Sequence, residues 1–201
     1  GDYESAKADF DKAISMDPKN YDRLIEIYEA LADYGYREVG QEYLQNVLNT
    51  DKKLDAYDSG RIYYYLGDYQ KAYLALEEAK GKGGVDSYLY LGKAYAATGD
   101  YNYASSVYSN YLSKQGPDAE IYNQLGLCEL AKKDYQKALE AFQAGKQIEG
   151  NSLMQTLSFN EIVAYEYLQD YQKAAVLLKA YLQNYPDDQA AIREQQFLST
   201  R

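Results

Sequence analysis

The stretch Gly67-Asp68-Tyr69-Gln70-Lys71-Ala72 recurs along the chain. Its copies are Gly1-Asp2-Tyr3 with Ala6, Gly99-Asp100-Tyr101 with Ala104, Lys133-Asp134-Tyr135 with Ala138, and Gln169-Asp170-Tyr171 with Ala174. A weaker copy is Gly35-Tyr36, with Val39 in place of the alanine. The turn tyrosines stand at 3, 36, 69, 101, 135 and 171, a period of about 34 residues. A fixed period of this length means one supersecondary unit stacked on copies of itself. The 201 residues therefore read as a single helical array over 1–201 rather than separate globular domains.

Around each turn the apolar residues keep helical spacing. A leading helix is expected at 2–15, carrying Tyr3, Ala6, Phe10 and Ala13 and ended by Asp17-Pro18, because proline disfavours helical geometry in the residue before it. Helix pairs follow at about 20–49, 53–80, 86–114, 118–149 and 152–185, then a closing helix at 187–198. In the first pair the stripes are Tyr21, Leu24, Ile25 and Tyr28, then Val39, Tyr43 and Val47. Asp118 is placed to cap the helix after Gly116-Pro117. The chain begins on a turn, inside a repeat, so further sequence is expected upstream of Gly1.

Composition excludes several function classes. Net charge is −10 with no basic run, which argues against a nucleic-acid partner and against an anionic membrane surface. No apolar run reaches spanning length, so no membrane insertion by this segment is expected. The chain has one cysteine, Cys128, and no histidine. Internal disulfides, Cys/His metal sites and histidine-dependent acid–base chemistry are thereby ruled out. No cofactor is expected. Lys80-Gly81-Lys82-Gly83-Gly84 lacks the preceding strand and the Lys-Ser/Thr pair of a phosphate-cradling loop, and reads as a linker. Cys128 falls on the packed side of its helix, as a small core residue.

The pattern Tyr88-x-x-Leu91-Gly92-x-x-Tyr95-x-x-x-Gly99-Asp100-Tyr101-x-x-Ala104-x-x-x-Tyr108 resembles the tetratricopeptide repeat. The unit with Tyr122, Leu125, Gly126, Tyr135, Ala138 and Phe142 is nearly as close, whereas the units at 21–49 and 156–185 are degraded in their first helix. The resemblance implies an all-α, right-handed α-solenoid of antiparallel helix pairs, a superhelix whose first helices line a concave face. It also implies a bacterial, non-catalytic scaffold for a protein or peptide partner. Cytoplasmic and envelope-tethered locations remain alternatives, set by upstream sequence. Family members that bind chaperone tails clamp a terminal carboxylate with lysines, asparagines and an arginine. The matching positions here hold Tyr57 and Arg61, Tyr90, then Glu120 and Gln124, so that clamp is absent.

Tyr57, Arg61, Tyr64 and Tyr65 share one helix face, offset from the core stripe of Ala56, Gly60 and Tyr63. Corresponding places in later units add Tyr90, Lys93, Asn123, Leu127, Phe159, Val163 and Tyr167. The expected inner wall is aromatic, with Arg61 and Lys93 as isolated cations. Tyrosine offers contact area at low entropic cost, and Arg61 is a bidentate partner for a ligand carboxylate. Charge reversal at Arg61 is expected to weaken an acidic ligand and leave folding intact. The structural alternative is that these tyrosines pack neighbouring first helices together and leave no groove. Two other functional readings stand beside the scaffold: assembly or self-association through the end helices, and a carbohydrate groove of stacked tyrosine faces.

Overall fold

A computed structural model describes residues 3–79 and 81–200. Among these, twelve α-helices and no strand are found: α1 (Tyr3–Met16), α2 (Tyr21–Asp33), α3 (Arg37–Thr50), α4 (Ala56–Tyr65), α5 (Tyr69–Glu78), α6 (Val85–Ala97), α7 (Tyr101–Lys114), α8 (Ala119–Ala131), α9 (Tyr135–Lys146), α10 (Met154–Tyr167), α11 (Tyr171–Asn184) and α12 (Gln189–Leu198). The protein is an all-α helical repeat. Its chain forms two compact units, Gly1–Tyr90 and Leu91–Arg201. The turn expected at Gly1-Asp2 lies outside the described residues, as does Lys80.

The recurring stretch builds a two-residue joint. At the end of α4, Gly67 N–H donates to Tyr64 O and Asp68 N–H to Tyr63 O, the paired bonds of a Schellman motif. Asp68 is also the N-cap of α5, its carboxylate accepting from Lys71 N–H. Such a cap contributes about 1 kcal/mol. The same bonds recur at Gly99-Asp100, Lys133-Asp134 and Gln169-Asp170. The first residue of the joint has φ of 79° at Gly67 and 86° at Gly99, a left-handed conformation that glycine adopts without steric cost. Lys133 and Gln169 adopt it too, at 64° and 63°, each at a cost of about 1 kcal/mol.

The weaker copy is corrected by one residue. Gly35 and Tyr36 make the joint's bonds, to Ala32 O and Leu31 O, so Tyr36 stands where the other copies have aspartate and caps α3 without a side-chain bond. Arg37 then takes the tyrosine's place, and Gly40, not Val39, takes the alanine's. The buried residues of α3 are accordingly Gly40 and Leu44, with Val39, Tyr43 and Val47 flanking them.

Packing explains the substitution. Seven residues before the joint, α4, α6 and α8 carry Gly60, Gly92 and Gly126. A Cβ there would come within 2.5 Å of Leu76, 2.3 Å of Tyr108 and 2.3 Å of Phe142 respectively. In α2 the same place holds Tyr28, which is buried, and the partner helix yields instead: a Cβ on Gly40 would meet the Tyr28 ring at 2.9 Å. The bulk added at Tyr28 is met by the methyl lost at Gly40, where the other copies have alanine, and the close approach survives.

In the first unit the core gathers Leu24, Ile25, Tyr28, Leu44 and Ile62. In the second, Ala138, Leu139, Phe142, Leu157 and Ala164 form one cluster. Ile162, Ala174, Leu178, Tyr181, Ala191 and Leu198 form another, against which α12 is seated.

Candidate functional site

In the first unit Arg61 is not an isolated cation. It is 7% exposed, and its guanidinium donates to Asp22 at 2.5 Å and Asp58 at 2.6 Å. It also lies 4.4 Å from the centre of the Tyr57 ring. Burial works against its charge, but the hydrogen bonds to Asp22 and Asp58 outweigh it and hold the pKa above the ordinary arginine range. Tyr57 is itself covered: a Cβ on Gly83 would meet its ring at 2.4 Å, so the expected linker closes over this side chain. Ser87, fully buried, fixes that linker by accepting from Gly81 N–H and donating to Gly84 O.

Tyr64, Tyr65 and Tyr90 come together. Their ring centroids lie 5.5–5.9 Å apart in edge-to-face contacts. Tyr65 also meets Tyr28 edge-on at 5.3 Å, and Tyr64 approaches Tyr69 at 5.7 Å. The Tyr65 hydroxyl donates to Glu29 at 2.6 Å and lies 3.0 Å from that of Tyr90. One hydroxyl carries one proton, so Tyr90 is the donor to Tyr65, giving a chain Tyr90–Tyr65–Glu29. Burial and the bond to Glu29 raise the Tyr65 pKa. Leu89, not Tyr90, matches Tyr57 in its distance from the following joint, and it is buried. Tyr90 joins the group one place later on the helix.

Beside these rings an open cleft of ≈ 440 Å³ is lined by Tyr28, Glu29, Ala32, Asp33, Arg37, Tyr64, Tyr65 and Tyr69. Sequence reasoning missed Glu29, Asp33 and Arg37, and read Tyr28 and Tyr69 as core and turn positions only. A signal was present: Glu29 and Asp33 are two carboxylates on successive turns at the C-terminal end of α2, Asp33 in the last turn, where acidic residues are disfavoured by the helix dipole.

In the second unit the expected residues are engaged one by one. Lys93 pairs with Glu120 at 3.4 Å, so it too has a partner. Asn123, 5% exposed, accepts from Asn160 Nδ2 at 2.8 Å, linking α8 to α10. Phe159 packs on Tyr181, centroids 5.7 Å apart. Val163 is half-buried on α10. Leu127 is exposed, and so is Tyr167, whose ring stacks on Tyr135 at 4.9 Å and 13°. Among the described residues no group of histidine, cysteine, aspartate or glutamate side chains could hold a metal ion. None of the helices described is long and apolar enough to cross a membrane.

Three family models, each described as tetratricopeptide repeat, match residues 1–20, 89–152 and 159–188. No curated protein matches the sequence. Among solved structures the chain is similar to YrrB, described as a TPR protein with an unusual peptide-binding site. Identity is 21%, with 93% of this chain and 97% of that one covered and a TM-score of 0.60. It is also similar to a thermophilic TPR protein of Thermus thermophilus, at 15% identity, 90% and 100% coverage and a TM-score of 0.68. A tetratricopeptide repeat protein of Parabacteroides merdae is similar at 17% identity, 89% and 72% coverage and a TM-score of 0.63. At these identities the likeness shows the fold. With the models spread along the sequence and the capped joint repeated between them, the chain belongs to the tetratricopeptide repeat family.

Proposed function

We propose that this protein is a non-catalytic scaffold that holds a protein or peptide segment on the tyrosine-lined faces of its first helices. The observation that carries the reading is the cleft at Tyr28, Tyr64, Tyr65 and Tyr69: aromatic rings fixed by mutual contact, yet open to solvent on one side. Rigid amphipathic rings with polar tips are what interfaces concentrate. In the second unit, Leu127 is exposed on α8 and Tyr167 is exposed on α10, stacked on Tyr135. Arg61 is already engaged by Asp22 and Asp58, so the weight of the proposal rests on the tyrosines.

The test is a displayed random-peptide library panned on the wild-type protein, with Tyr64→Ala, shown folded by circular dichroism, as comparison. Peptides that bind the wild type and lose at least about tenfold in affinity on the variant support the reading. Peptides held equally by both place binding elsewhere.

A second reading, association through the end helices, is favoured by Met16 at the end of α1 and Phe197 on α12, exposed large apolar side chains. Sedimentation equilibrium over a wide concentration range tests it. A constant monomer mass removes it.

A further inference from the structure

We infer that the partner segment presents a basic side chain to the cleft of the first unit. This deepens the proposed peptide-binding function and rests on it.

The electrostatics of α2 point that way. Glu29 and Asp33 stand four residues apart on α2, a like-charge pair on one face of the helix. Asp33 closes the last turn, where unsatisfied carbonyls already make the potential negative and where no basic residue is found, and Glu29 stands one turn before it. Each of these features disfavours the folded helix by a small amount. Both would be relieved by a cation bound at the same place.

The surroundings suit that cation. Tyr64, Tyr65, Tyr69 and Tyr28 wall the cleft with rings whose faces carry negative quadrupole potential. The Glu29 carboxylate is oriented by the Tyr65 hydroxyl through one oxygen. Tyr90 completes that chain from behind. The molecule as a whole, at −10, attracts a basic segment over distance.

Two cations in this unit could argue the opposite, and neither does. Arg61 is occupied by Asp22 and Asp58. Arg37 does line the cleft, and donates to the Tyr28 hydroxyl at 3.3 Å. Among the described residues, no ion pair joins it to Glu29 or Asp33, and with two carboxylates to one guanidinium the cleft keeps an acidic surplus. A lysine or arginine of the partner, lying against the rings with its charge toward Glu29 and Asp33, fits the arrangement. An acidic side chain would face two carboxylates for one guanidinium.

The experiment uses peptides selected on the wild-type protein and measures their affinity by calorimetry. Each lysine or arginine of a selected peptide is replaced in turn by norleucine, which keeps an aliphatic stem and removes the charge. The protein is compared with Glu29→Gln/Asp33→Asn and with Arg37→Ala. The double variant removes a repulsion, so it should fold at least as well as the wild type. The expected result is a lysine or arginine whose neutralisation weakens binding about tenfold, and a similar loss in the double variant. Affinity should also fall with added salt.

Selected peptides rich in aspartate or glutamate that depend on Arg37 would overturn the inference and leave the peptide-binding cleft standing. Neutral peptides indifferent to the double variant would do the same. Peptides that ignore Tyr64→Ala as well, or failure to select any peptide, would overturn both.

Discussion

Arg61 on α4 holds Asp22 on α2 at 2.5 Å, bridging two first helices 39 residues apart in the chain. The same guanidinium bonds Asp58 one turn back on its own helix. A charge so used is a tie between repeats. The expectation that reversing it would spare the fold does not survive this geometry. Arg61→Glu should destabilise the protein by about 3 kcal/mol, since it places a third carboxylate beside Asp22 and Asp58. Asp22→Asn should cost under about 1 kcal/mol, because the Asp22 side chain is 74% exposed. Urea midpoints of the two variants check the ranking; equal losses would count against it.

The interface between paired helices has no spare volume. Gly126→Ala puts a methyl group 2.3 Å from the Phe142 ring, and Ala104→Leu enlarges a side chain that is already fully buried. Each is expected to cost about 1–3 kcal/mol through overpacking. Ser106→Leu, on the exposed side of the same helix as Ala104, should cost far less. Thermal melts that rank Ser106→Leu with the other two would contradict this helix register.

Glu166 near the end of α10 gives the protein a pH dependence of known sign. Burial, then the charge of Glu194 on α12, pushes its carboxyl up to about 7. The folded state therefore binds a proton that the unfolded chain releases near 4.5. Stability from this group is full below that value and is lost as pH rises toward 7. After allowance for solvent screening of a part-exposed group, the loss is on the order of 1 kcal/mol. Glu166→Gln should flatten this part of the stability profile and raise the melting temperature at pH 8. An unchanged slope between pH 5 and 8 would remove Glu166 as its cause.

Cys128 should be inert in the native protein. It is buried on α8, and burial, with the neighbouring Glu129 charge, pushes its thiol up to about 12. Reaction with a disulfide reagent at pH 8 is expected only at the rate of unfolding. Stoichiometric labelling within seconds under native conditions would mean that α8 opens far more readily than its packing implies.

The repeat was legible because it is written in turn chemistry and helical spacing, both local. Asp68, Asp100, Asp134 and Asp170 announce each second helix, and Ala72, Ala104, Ala138 and Ala174 announce each close approach. Alignment by the tyrosine failed at Tyr36 for a physical reason: the bonds that define the joint belong to the backbone, and Tyr36 had slid into the capping place. The candidate site was legible only in part. Which tyrosines share one helix face could be counted, and Asp58, three residues before Arg61, was a local sign of pairing; the bond to Asp22, a residue of another repeat, was not legible. The carboxylates of the cleft lie on the neighbouring first helix at a place where the core pattern says nothing about them.

The joint between paired helices draws all its bonds from the residues immediately around it. It is therefore complete wherever it is copied, and needs nothing from a neighbouring repeat to close. A duplicated segment of gene would inherit a finished corner together with two helices whose faces remain to be matched. Change in those faces leaves the corner's two backbone bonds in place, as at Gly35-Tyr36, where they persist although the capping carboxylate is gone. The corners are the conservative part of such a molecule, and the surfaces they join are where its copies become individuals.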